Sequence, residues 1–118
     1  MSLGYLLSDD LIFTSRVTGT AQALGLTVQA ARSPAQLANL IARQPPACLL
    51  LDLHNPGLVL GELLAGLPSP RPFVVGYGSH VDAARLKAAR EAGCDLVLPR
   101  SKFVEELPTA LPGWFAGA

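Results

Sequence analysis

One stretch of the sequence, ACLLLD at residues 47–52, restricts the possible folds more than any other. The five residues before Asp52 are all apolar, so a strand formed here must bury both of its faces. Burial on both faces is typical of a strand at the centre of a parallel sheet, because helices cover both sides of such a sheet. The stretch therefore predicts a central parallel strand that ends at an aspartate.

The rest of the chain alternates short apolar runs with helical patterns. Four further strands are predicted at residues 3–8, 26–31, 73–77 and 95–98. Helices are predicted at residues 11–24, 33–44, 58–67 and 81–92, with a last helix from about residue 101. Ser101 could cap this last helix, and Pro108 and Pro112 are expected to break or bend it.

Strand and helix repeated five times predict the α/β class. We expect one domain over residues 1–118, built on a doubly wound, flavodoxin-like sheet of five parallel strands. The expected strand order is 2-1-3-4-5, with helices on both faces of the sheet.

Composition excludes several classes of protein. Half of the residues are hydrophobic, which excludes a disordered tail. Nine basic residues balance nine acidic ones without a basic stripe, so we expect no binding of nucleic acid by this chain. No apolar run approaches the ~20 residues that cross a membrane, and no signal peptide is visible, so we expect a cytoplasmic protein without membrane contact. Cys48 and Cys94 lack the spacing of a metal site and are expected to be buried, reduced side chains.

Polar side chains follow the predicted strands at their carboxyl ends, where ligands bind in open α/β sheets. The residues at these positions are Asp9, Asp10, Asp52, His54, Gly78, Ser79 and Arg100. Because the first and third strands are neighbours in the predicted order, the three aspartates are expected to converge within a few ångströms. Such a cluster is repulsive unless a cation neutralises it, and oxygen ligands with open water positions suit Mg²⁺. The sequence therefore predicts a magnesium site at this edge of the sheet.

Three landmarks together resemble the receiver domains of bacterial response regulators. Asp9-Asp10 follow the first strand, the third strand and its loop read LLLD-LHNPG around Asp52, and AGCD at residues 92–95 precedes the fifth strand. The resemblance implies a non-enzymatic signalling domain in which Asp52 accepts a phosphoryl group from a histidine kinase, a phosphotransfer protein or another signalling protein. It also implies that Mg²⁺ is held by Asp9, Asp10, Asp52 and the backbone carbonyl of His54.

Several positions depart from the receiver pattern. Arg100 stands where receivers usually have a lysine, and it is bulkier and prefers forked contacts. The hydroxyl residue expected after the fourth strand falls at Gly78, although Ser79 is adjacent and could serve in its place. Val97 replaces the aromatic residue of the fifth strand, and Tyr77 on the fourth strand is the nearest aromatic residue.

These departures leave two hypotheses open. In the first, Asp52 is still phosphorylated with the help of Mg²⁺, but the domain signals differently from other receivers. In the second, the domain is a pseudo-receiver that acts through constitutive protein–protein contact. The resemblance implies that the fourth helix, the fifth strand and the last helix form the interaction face, while the oligomeric state stays open.

A motif at residues 52–57 suggests a third, remote alternative. It matches D-x-H-x-x-G, which resembles cobalamin-binding domains in which the histidine, here His54, ligates cobalt. In that family the motif follows the first strand, whereas here it follows the third. A pattern with three fixed positions also arises easily by chance.

Overall fold

Five strands and five helices alternate along the chain in the computed structural model, which describes residues 2–117. The strands are β1 (Leu3–Leu7), β2 (Thr27–Ala31), β3 (Cys48–Asp52), β4 (Phe73–Gly78) and β5 (Leu96–Pro99). The helices are α1 (Leu11–Ala23), α2 (Pro34–Arg43), α3 (Leu60–Ala65), α4 (Ala83–Ala92) and α5 (Arg100–Phe115). The strands pair in the order β2-β1-β3-β4-β5 and every pair is parallel, which confirms the predicted sheet.

Strand β3 lies at the centre of the sheet, and all five of its residues are buried, as the apolar stretch predicts. Successive side chains of a strand point to opposite faces, so the sheet has a core on each side. Leu50 belongs to the core formed with α1 and α5. Leu49 and Leu51 belong to the core formed with α2 and α3. Helices therefore cover both faces of the sheet, as predicted.

Polar caps define where three of the helices begin. Asp10, Ser33 and Asp82 each accept a hydrogen bond from the backbone N–H three residues further on, at the starts of α1, α2 and α4. The cap at Asp82 explains why α4 begins at Ala83 rather than at residue 81. Helix α4 ends at Gly93, whose φ of 114° lies in the left-handed region that favours glycine.

Helix α5 differs from the sequence prediction. It begins at Arg100 after Pro99, so Ser101 is not its cap, and it runs without a break to Phe115 despite Pro108 and Pro112. Both prolines are exposed and lie four residues apart on the solvent side. An internal proline costs about 3 kcal/mol or more, whereas each fully buried large apolar side chain contributes roughly 1.5–3 kcal/mol. The buried side chains of the opposite side outweigh the prolines; they are Phe103, Leu107, Leu111 and Trp114.

Within residues 2–117, no helix combines the length and the apolar character needed to cross a membrane.

Candidate functional site

A crevice opens at the carboxyl edge of the sheet, where sequence analysis places the candidate residues. It has a volume of about 840 Å³ and lies between the ends of β3 and β4 and the first turns of α1 and α5. Its lining residues are Asp10, Ile12, Phe13, Arg16, Asp52, His54, Tyr77, Gly78, Ser79, His80, Arg100, Ser101 and Val104. Six of the seven sequence-predicted residues therefore meet in one crevice, and Asp9 does not line it.

Asp52 is the last residue of β3 and is nearly buried, with 8% of its surface exposed. One of its carboxylate oxygens, Oδ1, accepts a hydrogen bond of 2.9 Å from the backbone N–H of His54. No side-chain hydrogen bond in the described part of the chain reaches the other oxygen, Oδ2. Asp52 thus has the position that the receiver resemblance implies for a phosphoryl acceptor.

Strand register places Ser8, rather than an aspartate, beside Asp52. Leu7 of β1 pairs with Leu51 of β3, so the next residue on β1, Ser8, lies opposite Asp52. Ser8 is 1% exposed, and its N–H continues the ladder to Ala31 of β2. Ser8 is not among the sequence-predicted residues, because a serine directly before the Asp9-Asp10 pair carries no signal of its own.

The two aspartates after β1 have different surroundings. Asp9 is exposed and lies outside the crevice. Asp10 caps α1 by accepting a 3.0 Å hydrogen bond from the N–H of Phe13 at Oδ1, and its Oδ2 forms a 3.1 Å ion pair with Nη2 of Arg100. Both oxygens of Asp10 are therefore engaged by the protein. The Phe13 N–H and then the Arg100 side chain hold the pKa of Asp10 below its ordinary value.

Arg100 is held from two sides. Besides the ion pair with Asp10, its guanidinium carbon lies 4.3 Å from the centroid of the Phe13 ring, a distance typical of a cation–π contact. A planar guanidinium can stack on a ring while donating in its own plane, which a lysine ammonium cannot do. Arg100 therefore joins the start of α5 to the first turn of α1 by an ion pair and a ring contact.

The ion pair predicts how stability responds to acid. The Phe13 N–H and the Arg100 side chain lower the folded pKa of Asp10, so these contacts contribute stability above the ordinary carboxyl value of 3.8, and this contribution disappears as the pH falls through the folded pKa. Asp10→Asn keeps a side-chain oxygen for the cap and loses only the charge. We expect this variant to show a shallower loss of stability below about pH 4 than the wild type. Urea unfolding at pH 7, 4 and 3 measures the difference; parallel curves for the two proteins would contradict the assignment.

The side chains of the predicted magnesium site are not gathered into one group in the described structure. Among residues 2–117, no three aspartate, glutamate, histidine or cysteine side chains gather in a group that could hold a metal ion. The structure therefore does not show the expected convergence of Asp9, Asp10 and Asp52. Ser8 occupies the position beside Asp52, and Asp10 already bonds a helix N–H and an arginine. This donor set does not fit Mg²⁺, which prefers several free carboxylate and water oxygens in octahedral geometry.

The imidazole of His54 fills the space that a hydroxyl side chain on the fourth strand would need. Its Nε2 accepts a 3.0 Å hydrogen bond from the N–H of Ser79. A Cβ atom added at Gly78 would lie 3.0 Å from the same Nε2 and 3.3 Å from Leu86 Cδ2. Gly78 therefore makes room for His54. For the receiver interpretation, sequence reasoning considered only the backbone carbonyl of His54, whose role as a metal ligand stays a prediction.

The hydroxyl of Ser79 forms a hydrogen bond within its own loop. Its Oγ accepts a 3.4 Å hydrogen bond from the N–H of Val81, which turns the side chain along the β4–α4 connection. A role for Ser79 or Gly78 in contacting a phosphoryl group stays a prediction. The cobalamin alternative is disfavoured as well, because Nε2 of His54 accepts the Ser79 N–H and Nδ1 of the neutral ring then carries the proton, which leaves no lone pair for cobalt.

Tyr77 begins a column of aromatic rings that runs from the crevice into the core. Its ring centroid lies 4.5 Å from that of Phe103 and 5.1 Å from that of Phe13, and Phe103 lies 5.7 Å from Trp114. The Tyr77 side chain is 1% exposed, and its hydroxyl lies near the Ser8 side chain, without a hydrogen bond of regular geometry among residues 2–117. Burial raises the pKa of this hydroxyl, and the negative charge of Asp52 raises it further. The hydroxyl therefore stays protonated.

Solved structures with the same architecture identify the fold. The chain superposes on the receiver domain of NtrX from Brucella abortus with a TM-score of 0.82, at 16% identity, covering 98% of this chain and 99% of that one. The fold is that of a response-regulator receiver domain. A response regulator from Thermotoga maritima gives a TM-score of 0.81 at 14% identity, with 98% of each chain covered. A receiver domain from Bermanella marisrubri gives 0.83 at 18% identity, with 97% and 98% covered.

Sequence comparison adds nothing to this assignment. No protein-family model matches the chain. No curated protein sequence matches it either. The likeness to receiver domains is therefore a likeness of fold, and the function must be argued from the crevice itself.

Proposed function

We propose that this chain is a pseudo-receiver: a receiver-like signalling domain that acts through constitutive protein–protein contact, without Mg²⁺ and without phosphorylation. One observation carries the proposal, namely that no three metal-ligating side chains gather around Asp52 within residues 2–117. Ser8 occupies the neighbouring strand position, and Asp10 is bonded to α1 and to Arg100.

Phosphoryl transfer depends on positioned positive charge, because charge spreads over the oxygens of the transferred group. In the receiver pattern, a metal ion and a lysine supply this positive charge. Here the donor set does not fit a metal ion, and the guanidinium of Arg100 already neutralises Asp10. The Ser79 N–H, a further donor at this edge, is taken by His54. Accepting a phosphoryl group would require the loss of both internal contacts.

Phosphoryl acceptance at Asp52 is the second candidate function. Its position at the end of β3 and the unbonded Oδ2 within the described residues favour it. In this alternative Asp9 and Asp10 would hold Mg²⁺, and Arg100 would contact the phosphoryl group in place of the usual lysine. The donor of the group would be a histidine kinase or a phosphotransfer protein.

The partner surface is proposed on α4, β5 and α5, as the receiver resemblance implies. The unbroken α5 is 16 residues long, and its exposed side contributes to this face. On its solvent side Lys102 forms ion pairs with Glu105 and with Glu106, each at 3.8 Å. We propose a protein partner in a two-component pathway in the cytoplasm, with no nucleic acid bound by this chain and no enzymatic activity of its own.

A titration with Mg²⁺ followed by beryllofluoride, a phosphoryl mimic, tests the proposal. At millimolar Mg²⁺ we expect amide NMR shifts smaller than the experimental error, because the crevice offers no metal site. We expect the same null result when beryllofluoride is then added. The Asp52→Asn variant is the matched control and should give the same null result. Shifts around Asp52 that spread to α4 in the wild type, and are absent in the control, would establish the second candidate instead.

A further inference from the structure

The face formed by α2 and α3 carries almost no charge. Arg43 is the one charged residue from position 33 to position 51, and Glu62 is the one from position 55 to position 70. Helix α3 buries none of its six residues, although Glu62 is its only polar side chain. A nearly uncharged face with partly exposed leucines is typical of a surface that another protein covers. This α2–α3 face is distinct from the surface of α4, β5 and α5, where the receiver resemblance places a partner.

A groove of about 370 Å³ lies between the two helices. Small residues line it where a second helix would come close, namely Ala38 and Ala42 on α2 and Gly66 after α3. The other lining residues are Ile41, Pro45, Glu62, Leu63, Leu67 and Pro68. Helices pack by placing the side-chain ridges of one into the grooves of another. Because the exposed α3 lies directly beside the groove, this face offers both a helix and a groove that could receive one.

The two charges of the α2–α3 face have opposite signs and lie on opposite sides of the groove. Arg43 ends α2 between the lining residues Ala42 and Pro45, and Glu62 lines the groove from α3. Neither forms an ion pair within residues 2–117. Under a two-fold axis every contact between two copies occurs twice, so Glu62 of each copy can meet Arg43 of the other. The face is therefore complementary in charge to a second copy of itself, and neither charge would be covered without a partner.

We propose that two copies of this chain associate through their α2–α3 faces about a two-fold axis. Helix α3 of each copy lies in the groove of the other, and Glu62 pairs with Arg43 across the interface. The formal net charge of the chain is zero, so the two copies do not repel each other overall. The inference is independent of the proposed function, because the α2–α3 face and the crevice share no residue.

Sedimentation equilibrium from about 2 to about 500 µM protein tests the association. For a small interface we expect a monomer–dimer equilibrium with a Kd on the order of 10 µM. Ala38→Arg puts a charge into the apolar groove from an exposed helix position, and should weaken the dimer at least about 30-fold. Ala84→Arg is the matched control, the same change at an exposed alanine of α4 outside the groove, and should leave the Kd unchanged. Circular dichroism at each temperature of a thermal scan shows that both variants are folded.

Reversing the two charges separately tests the two-fold arrangement. Glu62→Arg and Arg43→Glu should each weaken the dimer at least about 10-fold, because like charges then meet twice across the interface. An equal mixture of the two variants should form a mixed dimer about as tightly as the wild type, since opposite charges meet again at both positions.

Three results would overturn the inference. The first is a wild type that stays monomeric at about 500 µM, far above the expected Kd. The second is a dimer that Ala84→Arg dissociates and Ala38→Arg does not, which would place the interface on α4. The third is a mixture of Glu62→Arg and Arg43→Glu that associates no better than either variant alone.

Discussion

Phe103→Ala is expected to lower the free energy of unfolding by about 3–5 kcal/mol. The Phe103 ring is fully buried and packs between Tyr77 at 4.5 Å and Trp114 at 5.7 Å, with Phe13 at 6.1 Å. These neighbours are rigid rings anchored on β4, α1 and α5, so they cannot move together to fill the cavity. The loss is large because domains of this size are stable by only about 5–15 kcal/mol in total.

Urea unfolding followed by Trp114 fluorescence measures this loss. Thr109→Ala, an exposed substitution on the same helix, is the control and should change stability by no more than about 0.5 kcal/mol. A loss below about 1.5 kcal/mol for Phe103→Ala would mean that the aromatic column does not hold α5 on the sheet. In that case the two prolines would be expected to break α5, as the sequence alone predicts.

Ser8→Asp is expected to create a magnesium site beside Asp52. A carboxylate introduced at position 8 would stand beside Asp52 in a nearly buried place, and the two groups would repel each other. We expect the variant to be less stable than the wild type without divalent cations. Mg²⁺ at 100 times its Kd should then restore about 2.7 kcal/mol, since it binds only the folded state.

Ser8→Asn is the matched control, because it has the same size and no charge. Thermal unfolding of wild type, Ser8→Asp and Ser8→Asn with 0 and 20 mM Mg²⁺ compares the three proteins. Only Ser8→Asp should gain stability from Mg²⁺, by several degrees in Tm. A similar gain in the wild type would show that Asp9, Asp10 and Asp52 already bind the metal, and that the proposed function is wrong.

The sequence by itself determined the architecture. The stretch at residues 47–52 is apolar on both faces, which leaves few folds other than a central parallel strand covered by helices, and the alternation around it supplies the other four strands. Short-range patterns also located Asp52, because a residue that ends a central strand must lie at the ligand edge of the sheet. These features depend on the chemistry of neighbouring residues, which the sequence records directly.

Only the tertiary structure decided which side chains work at that edge. The register of β1 against β3 brings Ser8 to Asp52, and a shift of one residue along a strand cannot be read from an apolar run. His54 packs against Gly78, and Arg100 contacts both Asp10 and Phe13. These contacts join residues that are 24 to 90 positions apart in the sequence. Helix α5 continues through two prolines because the opposite side is buried in the core. Contacts between distant residues set these outcomes, and their energies exceed the local preferences that sequence patterns express.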